Sequence, residues 1–226
     1  TNYDYRYGIP LKHIDINGRE TTYTIDDLGR ITSVLSPIDK PDVEIDGYSP
    51  YTIKFEYANA QINDNGEISQ PARALTYHFN KFTDDTEDYD IMTVAFCDGF
   101  GRNIQVQKEA IVGNVSGQST HAMIISGRTK YDAFGRIIES YYPTTENYND
   151  NFNFISTFDN VNPTKSEYDV LNRIVKTILP DDSLTTYNYS IDASTQSIIT
   201  TITDAKGNIS KTYTNGSGKT IKTEQF

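Results

Sequence analysis

The sequence predicts an all-β fold built as an extended antiparallel sheet of consecutive hairpins. Three observations predict it. The 226 residues include 17 Tyr and 10 Phe but no Trp, with abundant Thr, Ile and Val; these side chains suit a pleated surface. The candidate strands are short and end at Gly, Asp, Asn or Pro, while apolar stripes of helical period are hard to find. One short motif also recurs along the chain, and repeats are read before motifs.

The motif is an aromatic or apolar residue, then Asp, two variable residues, Gly and Arg. YDAFGR (131–136) shows it fully, and YDVLNR (168–173), CDGFGR (97–102), IDDLGR (25–30) and IDINGR (14–19) repeat it. TDAKGN (203–208) and TNGSGK (214–219) are weaker copies, and INDNGE (62–67) reads as a decayed one. The first strong position is Asp15, Asp26, Asp98, Asp132, Asp169, Asp204 and Asn215. Three residues on stand Gly18, Gly29, Gly101, Gly135, Asn172, Gly207 and Gly218. The next position is Arg19, Arg30, Arg102, Arg136, Arg173, Asn208 and Lys219.

The substitutions between copies point to turn chemistry. Asn alone replaces Gly, and Asn is the non-glycine residue that best tolerates a left-handed backbone. Asn also replaces Asp, keeping a side chain that bonds backbone N–H groups two residues on. Neither exchange would preserve a catalytic carboxylate. An enzyme needs one converged site, whereas these pairs are equivalent and in line. Arg is expected to span the neighbouring strand, its stem across a Tyr ring and its fork on a turn carboxylate or carbonyl.

Spacing fits consecutive antiparallel strands. Gly18 to Gly29 is 11 residues, as is Gly207 to Gly218; the longer gaps of 34 to 37 residues are about three such units. Asp46-Gly47, Pro143, Asn162-Pro163 and Pro180-Asp181-Asp182 supply turn signals inside the long gaps. ILPDDSLTTYNYSID (178–192) reads as strand, turn, strand, with Tyr187, Tyr189 and Ile191 on one face. RIVKTIL and SIITTIT carry apolar groups on both faces. A broad curved sheet tolerates that better than a compact sandwich.

Other constellations carry less. Twenty basic against 31 acidic residues give a net charge of −11, which repels phosphate backbones and argues against nucleic acid. No apolar run approaches the roughly 20 residues of a membrane helix. Lone Cys97 excludes an internal disulfide framework. DDTEDYD (84–90) reads either as a calcium loop or as a solvated hairpin tip, without the ordered spacing of an EF-hand. His13, His78 and His121 have no ligand partner at metal spacing. Ser126-Gly127-Arg128 lacks the surroundings of a nucleophile elbow, and NGSGKT (215–220) lacks phosphate-loop spacing. No catalytic, cofactor or metal residue is assigned.

YDAFGR and YDVLNR resemble the hallmark of Rhs/YD-repeat proteins. The block 72–143 is more specific: a DGFGR turn, a Q-x-K segment and an SGR-x-x-Y-x-x-x-G segment follow in order. It resembles the B-component wall of bacterial insecticidal toxin complexes. The resemblance implies one YD-repeat region over residues 1–226, an arc of a hollow β-shell that encloses a C-terminal toxin or effector. It implies a non-enzymatic scaffold, secreted or at the bacterial cell surface. Its partners would be the rest of its own polypeptide, a cargo domain and other toxin-complex subunits. The family's autoproteolytic aspartates lie around DPxG motifs, which are absent here. The start, TNYDYRYGIP, has no initiator Met or signal-peptide shape, so the chain is expected to be part of a longer protein. A surface adhesin or carbohydrate-binding module, using Tyr-rich faces to bind glycans, is the alternative; a hydrolase is the third reading.

Overall fold

A computed structural model describes residues 1–37, 51–79, 91–113, 117, 119–148, 152–157 and 161–226. The DDTEDYD run and the Asp46-Gly47 signal lie outside the described residues. Strands are numbered along the chain. The first eleven are β1 (Asn2–Asp4), β2 (Ile9–Ile14), β3 (Glu20–Ile25), β4 (Ile31–Leu35), β5 (Ile53–Ala58), β6 (Gln61–Ile62), β7 (Ile68–Gln70), β8 (Ala72–His78), β9 (Ile91–Cys97), β10 (Asn103–Gly113) and β11 (Ser119–Ser126). Then come β12 (Thr129–Tyr131), β13 (Ile137–Ser140), β14 (Thr144–Asn147), β15 (Thr164–Tyr168), β16 (Ile174–Ile178), β17 (Leu184–Asp192), β18 (Ser197–Thr203), β19 (Ile209–Thr214) and β20 (Thr220–Gln225). The fold is all-β, and every strand pair is antiparallel. No helix among the described residues is long and apolar enough to cross a membrane.

The chain divides into two units. Unit 1 comprises Thr1–Ser126 with Thr144–Ile155; unit 2 comprises Gly127–Pro143 with Ser156–Phe226. Unit 1 holds a ten-stranded sheet in the order β1-β2-β3-β4-β5-β8-β9-β10-β11-β14, plus the small β6-β7 hairpin. Unit 2 holds an eight-stranded sheet in the order β12-β13-β15-β16-β17-β18-β19-β20. Neighbours in space are mostly neighbours in sequence, as hairpin connections dictate. Neither sheet closes on itself among the described residues.

Unit 1 has an apolar core on one face of β8–β11. Leu75, Val94, Phe96, Met123 and Ile125 are buried there beneath Phe152. The extended segment around Phe152–Ile155 is held over that face by glutamines. Gln105 Nε2 donates to the Ile155 carbonyl at 2.8 Å, and its Oε1 accepts from the Ile155 N–H at 3.0 Å. Gln107 Nε2 donates to the Asn153 carbonyl, and Gln70 Oε1 accepts from the Phe154 N–H, both at 2.8 Å. Both buried glutamines are thereby satisfied, as buried amides must be. Unit 2 is different: no Ile, Leu, Val, Phe or Met of its described residues is buried.

Candidate functional site: repeat turns and their locks

The repeated motif forms one turn, seen most completely at Asp132–Arg136. The Gly135 N–H donates to the Asp132 carbonyl at 3.0 Å, and the Asp132 N–H donates to the Arg136 carbonyl at 2.9 Å. This is a type I turn closed by a left-handed residue, which forms a bulge in the ladder; Gly135 has φ 79°. The register shifts beside the turn, between Lys130 and Tyr131. Asp132 Oδ1 accepts from the N–H groups of Phe134 and Arg136, at 2.9 and 3.0 Å. Its Oδ2 accepts from Arg136 Nε at 2.6 Å.

The same two backbone bonds recur at Asp15–Arg19, Asp26–Arg30, Asn63–Glu67, Asp98–Arg102, Asp169–Arg173, Asp204–Asn208 and Asn215–Lys219. The fourth residue is left-handed in each: Gly18, Gly29, Gly66, Gly101, Asn172 at φ 63°, Gly207 and Gly218. INDNGE is therefore a geometrically complete copy. A further turn escapes the motif altogether. Leu179–Ser183 makes both bonds, with Asp182 left-handed at φ 63°. Pro180 presets its first corner, and no Asp stands at its head.

The Arg fork is confined to some copies. Arg30, Arg102 and Arg173 repeat the Nε–Oδ2 bond to Asp26, Asp98 and Asp169 at 2.7, 2.7 and 2.8 Å. In the 204–208 turn, Asn208 Nδ2 takes the place of Nε, bonding Asp204 Oδ2 at 2.7 Å. Asp15–Arg19 and Asn215–Lys219 show the backbone pattern without a fork among the described residues. The forked carboxylates are held below the usual Asp range. At Asp98 the Arg102 guanidinium is the largest cause, with the Arg102 and Phe100 amides adding to it. At Asp169 the Arg173 amide leads. At Asp132 partial burial pushes upward, and the Arg136 and Phe134 bonds outweigh it.

A tyrosine from the next strand completes the unit. Arg136 lies 4.8 Å over the Tyr168 ring, and the Tyr168 hydroxyl donates to the Ile137 carbonyl at 2.8 Å. Arg173 lies 4.1 Å over Tyr189, whose hydroxyl donates to the Ile174 carbonyl at 2.9 Å. In unit 1, Arg30 lies 4.4 Å over Tyr57, whose hydroxyl donates to the Ile31 carbonyl at 2.8 Å. The accepting carbonyl is always that of the residue after Arg. Tyr168 is the aromatic of the YDVLNR copy, so one copy's Tyr clamps the Arg of the copy before it. Arg136 Nη1 also donates to the Asp169 carbonyl and to Asn172 Oδ1, both at 3.1 Å. Asn172 therefore supplies both the left-handed corner and a bond to the preceding turn.

The motif shows Tyr before Asp but not the strand over which that Tyr closes. Tyr57 and Tyr189 do not precede an Asp, so no local pattern marks them. A second regularity lies at the turn tips: Leu28, Phe100, Phe134 and Leu171 occupy the same position and are largely exposed. Phe100 and Phe134 lean on their own Arg102 and Arg136 at 5.1 and 5.0 Å. Among the described residues, no group of three or more His, Cys, Asp or Glu could hold a metal ion.

No protein-family model matches the sequence, and no curated protein matches it. Solved structures do match. TcdB2-TccC3 without its hypervariable C-terminal region is similar with a TM-score of 0.63 and 18% identity, over 99% of this chain and 16% of that chain. TcdB2-TccC3-Cdc42 gives 0.64 and 18% over the same shares. A Photorhabdus luminescens Tc holotoxin pore with a mutated TccC3 gives 0.63 and 18%, again over 99% and 16%. The chain has the fold of a stretch of TcdB2-TccC3. That agrees with the resemblance read from YDAFGR and the 72–143 block. The likeness spans about a sixth of each matched chain and concerns fold alone.

Proposed function

We propose that this chain is a stretch of non-enzymatic wall in a longer, exported bacterial Rhs/YD-repeat protein, which encloses a C-terminal polypeptide. Residues 1–226 form one repeat region in this reading, with the turn residues from Asp15 to Lys219 as its joints. The carrying observation is the lock between copies: Arg136 is held by Asp132 of its own turn and by Tyr168, Asp169 and Asn172 of the next. The Asp and Arg side chains of the motif join hairpins. A motif that couples each copy to its neighbour suits a wall of many copies. Other toxin-complex subunits are its natural partners.

The test uses the full-length protein from which the chain comes. Limited proteolysis of the native protein should spare its C-terminal segment, and mild unfolding should expose that segment to cleavage. A C-terminal segment cut freely while the repeats stay intact would sink the shell reading. The adhesin reading draws on Tyr187 and Tyr189, half-buried on one face of β17. It expects saturable binding on a glycan array that is lost with Tyr187→Ala.

A further inference from the structure

The two faces of the unit 2 sheet differ sharply in charge. Its strands contain nine charged residues: Lys130, Glu139, Lys165, Glu167, Lys176, Asp192, Lys211, Lys222 and Glu224. The register places all nine on one face. Lys130 faces Glu139, Glu139 faces Lys165, Glu167 faces Lys176, and Lys211 faces Glu224. Ion pairs Lys130–Glu139, Lys176–Glu167 and Lys222–Glu224 form there, at 2.8, 2.9 and 2.6 Å. The opposite face bears the Tyr168 and Tyr189 locks and no charged strand residue. On it Tyr189 faces Thr200, Thr200 faces Thr212, and Thr177 faces Thr185. On that side β17–β19 are mostly half-buried and β20 is exposed.

Unit 1 shows the same bias. The ion pairs Lys12–Glu20 and Lys54–Glu56 lie on the face opposite the Tyr57 ring, with Lys108 the exception on the lock side. The ion-paired face of unit 1 is also where the chain lays its own Phe152–Ile155 segment. That side is thus already covered over β8–β11.

We infer that the lock face of the unit 2 sheet, whose strand residues carry no charge and whose Arg136 and Arg173 are held by Asp132, Asp169 and the tyrosine rings, is the side of the wall turned toward the enclosed polypeptide. The inference rests on the shell reading above and names the surface that serves it. Threonine and tyrosine hydroxyls both donate and accept, so they can satisfy the backbone amides of an extended chain of any sequence. A face whose strands carry no charge, and whose lock arginines already hold their own carboxylates, avoids stranding an ion against an unmatched neighbour in a closed space. One matched structure is described as lacking a hypervariable C-terminal region. A cargo whose sequence varies cannot be met by fixed ion pairs, and a neutral hydroxylated wall suits it.

Adjacent residues on β18 give the test, because Thr200 lies on the lock face and Thr201 on the ion-paired face. In the full-length protein, a photo-crosslinking residue replaces one or the other, and mass spectrometry identifies the joined peptides. Position 200 is expected to join polypeptide from outside the repeats, and position 201 is not. Crosslinks from 201 alone, or equally from both, would overturn the face assignment and leave the shell reading standing. If neither position joins such polypeptide, the shell reading falls and this inference with it. A second readout uses Thr200→Cys and Thr201→Cys with a bulky polyethylene-glycol maleimide. Thr201→Cys should label in the native protein and Thr200→Cys only after unfolding; the reverse order also overturns the assignment.

Discussion

Unit 1 and unit 2 use the same turn and the same tyrosine lock, but they bury very different things. Unit 1 has a dry cluster around Phe96, roofed by a segment that Gln105 and Gln107 hold down. Unit 2 buries only Arg128, Pro163 and Ser197 among its described residues. The turn motif therefore does not depend on a core. Within unit 2, stability must come from strand-to-strand contacts: ladder bonds, Thr–Thr and Tyr–Ile pairs, and locks at the turns. Cross-strand pairs contribute roughly 0.2–1 kcal/mol each, so many must add where no core exists. That suits a wall that grows by repeating a hairpin.

The largest expected effect comes from breaking the core that only one unit has. Phe96→Ala removes a fully buried ring packed edge-on against Phe154, with centroids 5.5 Å apart. It should cost about 3–5 kcal/mol. Ile202→Ala in unit 2 removes a half-exposed side chain and should cost about 1 kcal/mol, because little area leaves water there. Denaturant titration of both variants measures the difference. Equal losses would mean that unit 2 hides a core of comparable value.

A second comparison sets turn against turn. Gly101→Ala puts a Cβ on a left-handed residue with nothing within 4 Å of it and should cost about 1 kcal/mol. Gly29→Ala adds a collision to the same strain. A Cβ there would lie 2.5 Å from Cγ of Tyr7, whose ring rests on the turn and whose hydroxyl donates to the Asp27 carbonyl. Gly29→Ala should therefore be the worse of the two, and Tyr7→Ala should shrink the gap between them. Identical unfolding midpoints for Gly29→Ala and Gly101→Ala would show that Tyr7 moves aside at no cost.

The parts legible in the sequence are those set by local chemistry. All-β character follows from composition and turn spacing, and the Asp–Gly–Arg positions follow from comparing copies. Asn172 in the Gly position already points to a left-handed corner. Partners far along the chain leave no such mark. Tyr57 lies 27 residues after Arg30, and nothing around it announces the ring over the guanidinium. Gln105 and Gln107 read as ordinary alternating strand polars, because the segment they hold arrives some 50 residues later. The 179–183 turn is marked by Pro180-Asp181-Asp182, but without an Asp at its head the sequence does not show that it shares the geometry of the repeat. The charge split between the faces needs the full register of the sheet, which single strands do not reveal.

The smallest expected effect separates forked turns from unforked ones by pH. Asp98 sits below the usual carboxylate range chiefly through the Arg102 guanidinium, while Asp192 falls to about 2 through the Ser194 hydroxyl and amide and the Thr195 hydroxyl. A carboxylate with a depressed native pKa stabilises the fold fully above its unfolded value of roughly 3.9. That contribution is lost as pH falls through the native pKa. The stability gap between the native sequence and Asp98→Asn should thus be widest at neutral pH and close in acid; Asp192→Asn should behave likewise, closing at about pH 2. Salt distinguishes the two. Screening weakens the Arg102–Asp98 attraction, which is still partly open to solvent, whereas Asp192 is held by neutral donors. Raising ionic strength at pH 7 should narrow the Asp98→Asn gap and leave the Asp192→Asn gap unchanged. A salt response of equal size at both sites would mean that Asp98, like Asp192, is held by its amide bonds and not by the arginine fork.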